Sequence, residues 1–194
     1  MHSSADATHR LFFALWPDDG VRRAIAARAA AIDAACAPGG QPSAPERYHL
    51  TLQFLGTFKP LPSALVEHAI AAGDSVRAQE FPLVLDHLAS FERNRVWWLG
   101  PDTANSGLRS LHERLGAVLA ASGVATEDAA RFVPHVTLGR KLRQRMQPRL
   151  VEPLDWPVRE FVLVDSTAGA ADYRIVRRWP LDPVNRGSGI PAAR

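Results

Sequence analysis

The residues best suited to chemistry stand in one short pattern that occurs twice. Residues 48–54 read Tyr48-His49-Leu50-Thr51-Leu52-Gln53-Phe54, and residues 134–140 read Pro134-His135-Val136-Thr137-Leu138-Gly139-Arg140. Each copy is His, apolar, Thr, apolar, an alternation of period two that predicts a β-strand with one buried face. His and Thr then share the opposite face, so each copy presents an imidazole beside a hydroxyl. With seven His and seven Thr in 194 residues, a shuffled chain holds about 0.05 such tetrads. Two copies are therefore not an accident of composition.

An unperturbed imidazole titrates near pH ~6.5, so two facing imidazoles offer one general base and one general acid near neutrality. The threonine hydroxyls can hydrogen-bond a bound oxyanion. Arg140, five residues past His135, can add a charge-assisted contact. These are the parts that hydrolysis of a phosphodiester ring needs. A base deprotonates water, donors hold the non-bridging oxygens, and an acid protonates the leaving sugar oxygen. That scheme calls for no metal. No paired i, i+4 histidines with an acidic partner occur, and Cys36 is the sole cysteine, so a zinc site is not expected. Plainer readings stand beside these: β-propensity for the threonines, a solvated strand end for Arg140, and a core position for Phe12. His68 and His112 fall in predicted helices and His87 in a predicted strand, and all three read as non-catalytic.

The elements that must position the motifs follow from pattern and punctuation. Residues 1–9 are expected to be disordered. Arg10–Trp16 predicts a central strand, apolar on both faces. Pro17, Asp18 and Asp19 open a helix running to about Cys36, and Pro38-Gly39-Gly40 ends it. The first motif strand is expected to close at Gly56. Lys59-Pro60-Leu61-Pro62 starts a second helix ending near Arg77. Phe81–Phe91 and Arg95–Leu99 predict a hairpin, with Trp97 and Trp98 on opposite faces. A third helix spans about Ser106–Ala121, and Phe132–Gly139 carries the second motif. A basic loop over 140–149 follows, then strands at Arg159–Asp165 and Tyr173–Trp179. Residues 183–194 are expected to be a flexible tail. Mixed strands and helices without strict alternation, and one motif per half, predict an α+β fold of two similar lobes. A pseudo-twofold would face the motif strands across a cleft.

The bulk numbers suit one domain of this size. No apolar run reaches the ~18–20 residues of a membrane span, and the N-terminus does not read as a signal peptide. A lone cysteine fits a reducing cytoplasm. The net charge of +3 is mild, although 21 of the 23 basic residues are arginine, the better side chain for phosphate. The Arg140–Arg149 run reads equally as a guide for an RNA backbone or as a solvated loop.

The paired motifs resemble those of the 2H phosphoesterase superfamily, and the wider pattern is similar to its bacterial RNA 2′,3′-cyclic phosphodiesterase branch, also called 2′-5′ RNA ligase. The resemblance is carried by Arg10–Leu15, His49–Gly56, Trp98-Leu99-Gly100, Pro134–Arg140 and Trp179-Pro180-Leu181. It implies a single bilobal domain over 10–182, with a central cleft between sheets and helices outside. It implies hydrolysis of RNA 2′,3′-cyclic phosphate ends to 2′-phosphomonoesters without cofactor or metal, and reversible 2′-5′ ligation. In that scheme His49 is the proton donor, His135 the proton acceptor, and Thr51, Thr137 and Arg140 bind the phosphate. Phe12 is a candidate platform for a nucleobase. RNA ends or nucleotides are the expected partners of a monomer. The alternatives are a related enzyme acting on a small cyclic nucleotide or ADP-ribose cyclic phosphate, and an RNA-end-binding module without chemistry.

Overall fold

A computed structural model describes residues 7–102, 105–126, 132–170 and 173–184. Within them the chain runs β1 (His9–Leu15), α1 (Asp19–Cys36), β2 (Gln41–Pro42), β3 (Leu50–Phe58), α2 (Ser63–Ser75), β4 (Phe81–Phe91), β5 (Val96–Pro101), α3 (Ser106–Ala121), β6 (Val136–Arg140), β7 (Arg149–Val158), β8 (Glu160–Thr167) and β9 (Arg174–Pro180). Of the expected N-terminal disorder only 7–9 is described, and His9 there already pairs in β1. The expected tail beyond residue 184 lies outside the described residues.

The helices begin where their caps dictate. Asp18 Oδ1 accepts from the Val21 amide at 2.9 Å, with Asp19 in the first turn of α1; Asn105 does the same for the Leu108 amide in α3. Each cap satisfies an otherwise orphaned donor. The buried stripes, Val21, Ile25, Ala29 and Ile32 in α1 and Leu108, Leu111, Leu115 and Leu119 in α3, recur every three or four residues and fix which face docks.

The strands form one antiparallel sheet in the order β7-β4-β5-β6-β3-β1-β8-β9, with β2 beside β6. It comprises two four-stranded lobes, β3-β1-β8-β9 and β6-β5-β4-β7. They join where β3 meets β6, through the pair Leu50 and Val136. The units β1-α1-β3 and β5-α3-β6 correspond, each a strand, a helix and a motif strand paired with the first. The lobes are not the two halves of the sequence, however. β4 comes from the first half and completes the second lobe, and β8 and β9 return to the first, β8 beside β1 and β9 beside β8.

The main core lies on one face of the sheet, under all three helices, and takes in Leu11, Phe13, Leu50, Trp97, Val136 and Leu163. The other face carries a smaller apolar group around Phe12, Ala14, Val162 and Val164. Three sequence expectations change. β3 continues through Gly56, which adopts φ 133°, so this glycine sits within the strand rather than closing it. β6 starts at Val136, four residues later than expected. The basic loop ends in a strand, β7, that contains Pro153 and Pro157; β7 is an edge strand, where missing donors are tolerated. Among the described residues no helix is long and apolar enough to cross a membrane.

Candidate active site

Leu50 paired with Val136 sets the register of the two motifs. Continued one residue each way, it places His49 opposite Thr137 and Thr51 opposite His135. Leu50, Leu52, Val136 and Leu138 are buried towards the helices. The imidazoles and hydroxyls therefore share the open face at the junction of the lobes, and all four side chains are half-buried. Contrary to the sequence expectation of strands facing each other across a cleft, the motif strands lie side by side as neighbours in one sheet.

Both imidazoles are held by the same device. His49 Nδ1 meets the Arg47 carbonyl at 2.7 Å, and His135 Nδ1 meets the Val133 carbonyl at 2.8 Å. A carbonyl can only accept, so Nδ1 carries the proton and Nε2 holds the free lone pair in the neutral ring. Each ring is thus set to take or give a proton at Nε2.

Their surroundings differ. His49 is enclosed by aromatic rings: Phe12 at 5.0 Å between centroids, Tyr173 edge-on at 5.3 Å and Trp16 stacked at 6.1 Å. Burial lowers its pKa to about 4, opposed by the Arg47 carbonyl and reinforced by positive charge at His135, Arg140 and Arg47. His135 touches Phe91 edge-on at 4.9 Å and Trp98 at 6.1 Å. Its pKa is also lowered by burial, opposed by the Val133 carbonyl and assisted by Arg140. A proton on either ring is disfavoured until negative charge arrives.

A hollow of about 380 Å³ opens beside these groups, with Thr51, Phe91, His112, His135, Thr137 and Arg140 in its walls. Five of the six residues expected at the site, His49, His135, Thr51, Thr137 and Arg140, gather at the β3–β6 junction. The sixth, Phe12, lies behind the His49 ring and is 5% exposed, which leaves little of its face for a base. Trp16 and Tyr173 are more open; the Arg47 guanidinium lies 4.4 Å above the Tyr173 ring, a cation–π contact.

Sequence reasoning read His112 as non-catalytic and gave Gln53 no separate role; what it missed is the contact between them. The His112 ring stacks on Phe132 at 3.9 Å, and its Nδ1 donates to the Leu52 carbonyl at 2.9 Å. Gln53 Nε2 donates to the His112 carbonyl at 2.9 Å. Together they tie α3 to the motif strand. The pairing of β1 with β3 slips between Phe13 and Ala14, whose partners are Gln53 and Thr51. Leu52 is the extra residue of this bulge, which turns Gln53 inward. Nothing in the alternation announces it.

This geometry, two locked imidazoles and two hydroxyls at one strand junction with a hollow and an arginine beside them, coincides with clear kinship. The model of the 2′-5′ RNA ligase superfamily matches residues 17–170, which include both motifs. The chain is 34% identical over 149 residues to the RNA 2′,3′-cyclic phosphodiesterase of Escherichia coli K12, covering 73% of this chain and 80% of that protein. It is 32% identical over 112 residues to the protein of the same name from Aeropyrum pernix, covering 56% and 61%. Among solved structures, apo E. coli LigT superposes with a TM-score of 0.75 at 30% identity, over 91% of this chain and 99% of that one. E. coli LigT complexed with 3′-AMP superposes equally well, over 90% and 98%. With most of its length matched and both motifs in place, the chain belongs to the 2′-5′ RNA ligase superfamily.

Proposed function

We propose that this protein opens 2′,3′-cyclic phosphate ends of RNA to 2′-phosphomonoesters by acid–base chemistry between His49 and His135. The observation that carries the reading is the meeting of the two motifs at one residue pair, with both imidazoles locked in the same tautomer. His135 Nε2 takes a proton from water as the oxygen attacks phosphorus, and His49 delivers one to the departing 3′-oxygen. Thr51 and Thr137 donate to the non-bridging oxygens, and Arg140 offsets their charge. Burial favours the neutral form of both rings in the free protein, so the phosphate itself draws the proton that His49 must give. With a 5′-hydroxyl in place of water, the same transfers join it to a 2′,3′-cyclic phosphate end in 2′-5′ linkage, the 3′-oxygen leaving with the proton from His49, and the reverse transfers reopen that linkage. Both halves of the site come from one chain, so a monomer suffices.

The scheme asks for no metal, and among the described residues no three His, Cys, Asp or Glu side chains cluster as ligands. Relatives that carry the name RNA 2′,3′-cyclic phosphodiesterase support the substrate class. The half-buried single thiol of Cys36 suits a reducing compartment such as the cytoplasm.

The test is product analysis in the presence of EDTA, with a short RNA and a mononucleotide that both end in a 2′,3′-cyclic phosphate. We expect 2′-phosphate products from RNA at a rate EDTA does not change. Cyclic ends left intact on both substrates overturn the reading, and activity lost on chelation overturns its metal-free form. Turnover of the mononucleotide alone redirects it to small cyclic nucleotides.

A further inference from the structure

The basic segment after the second motif is expected from sequence to be either a guide for RNA or a solvated loop. The structure shows a docked segment. Leu142 and Met146 are buried in the main core. The Leu142 amide donates to the Arg95 carbonyl at 3.0 Å, and Arg95 Nε returns a bond to the Leu142 carbonyl at 2.8 Å. Ser90 Oγ bonds both the amide and the carbonyl of Met146. On the other side the Arg143 amide donates to the Pro38 carbonyl at 3.1 Å. Gly39 and Gly40 make that approach possible. A Cβ on Gly40 would lie 2.4 Å from the Arg140 carbonyl oxygen, and one on Gly39 would lie 3.0 Å from the Arg143 side chain.

The backbone is therefore fixed while the guanidiniums of Arg143 and Arg145 stay exposed. Next to them is a second hollow of about 260 Å³, bounded by Phe91, Glu92, Arg95, Arg143 and Arg145. Phe91 is also a wall of the catalytic hollow and touches His135. The two hollows thus share one aromatic wall, and the second lies at the Arg140 end of β6. Among the described residues the one ion pair in this cluster joins Arg145 to Glu92 at 2.5 Å, with both side chains about 60% exposed. Such a pair is weak and exchanges readily for a phosphate.

We infer that this hollow is a subsite for the polynucleotide backbone, in which Arg143 and Arg145 hold phosphates of the RNA strand on the 5′ side of the reacting end. The inference rests on the proposed reading of the catalytic cleft and extends it. An RNA with its cyclic phosphate against His135 must leave the cleft through its 5′-phosphate. The path over Phe91 leads to fixed backbone and two presented guanidiniums, the side chain that forks onto phosphate. A 2′,3′-cyclic mononucleotide has no strand to place there.

The experiment compares wild type with the double variant Arg143→Gln, Arg145→Gln, neither residue belonging to the catalytic set. Two readouts are taken: kcat/KM on a 2′,3′-cyclic mononucleotide and on a cyclic-ended RNA decamer, and binding of a 2′-phosphate-ended decamer across a salt series. We expect decamer kcat/KM to fall roughly tenfold at low salt while the mononucleotide value stays within twofold. We also expect the log–log salt slope of decamer binding to shrink by about 1.4, at about 0.7 per single-strand phosphate released. Equal effects on both substrates, or an unchanged salt slope, overturn the subsite. If neither substrate turns over but the binding difference persists, the hydrolytic reading falls and the subsite stands.

Discussion

At the scale of single residues, the two imidazoles are alike in tautomer and unlike in setting. His49 sits in an aromatic enclosure with its pKa lowered to about 4, and His135 borders the hollow. The acid must be protonated and the base unprotonated in the free enzyme for productive encounter, and kcat/KM reports those free-enzyme values. Both are depressed below 6.5, so raising pH removes the needed proton early. We expect both limbs of the kcat/KM profile to lie below pH 6.5. The alkaline limb of kcat should lie higher, because a bound phosphate anion favours the charged ring. An alkaline limb of kcat/KM above pH 7 contradicts this. The division of labour has its own test. His49→Ala and His135→Ala should each cost ~10²–10⁴-fold on RNA. On a nucleotide nitrophenyl phosphodiester, whose leaving group departs unprotonated, His49→Ala should recover most of its loss and His135→Ala should not. Recovery in the opposite variant exchanges the roles. At this scale the sequence was highly legible, since a His and a Thr two apart on a strand must share a face. Phe12 was not: a central strand has apolar residues on both sides, and only the structure tells which ring is covered.

At the scale of elements, period-two alternation located β3 and β6 but not their irregularities. The Leu52 bulge, the turn of Gln53 and the docking of His112 on the Leu52 carbonyl depend on β1 and α3 and have no local signature. β7 was hidden by its prolines, which an edge strand accommodates, and β2 by its length of two residues. The glycine of the second motif was visible but its reason was not. Gly139 pairs with Trp97, and a Cβ there would lie 1.9 Å from Trp97 Nε1. Trp97 is fully buried and cannot yield without moving β5. Gly139→Ala should therefore destabilise the fold by about 1–3 kcal/mol, the usual cost of overpacking, and should weaken phosphate binding by shifting Thr137 and Arg140. Urea unfolding and titration with a 2′-phosphonucleotide check the two effects, and wild-type values in both would show that the Trp97 ring has slack.

At the scale of the whole molecule, the active site straddles a seam where β3 and β6 share one residue pair, Leu50 and Val136, and only the two-residue strand β2 adds further pairing to β6. A seam that thin would let the lobes move apart and separate His49 from His135. The helices prevent it by crossing over. α1 follows β1 of the first lobe but packs on β7 of the second, where Arg28 bonds the Glu152 carboxylate at 2.9 Å. α3 follows β5 of the second lobe but packs on β3 of the first, through His112 and Gln53. Beneath them one continuous apolar core joins Leu11 and Phe13 to Leu85 and Leu99. The lobes therefore cannot unfold separately without exposing the other's core. Native-state hydrogen exchange in rising denaturant tests this, because amides that open only globally share one free energy and one slope. Amides of Leu163 in β8 and Leu99 in β5 should converge on the same opening, at the free energy measured by equilibrium unfolding. A lower-energy opening confined to one lobe would make the seam a hinge, and the spacing of the two histidines would then be set by substrate instead of by the fold.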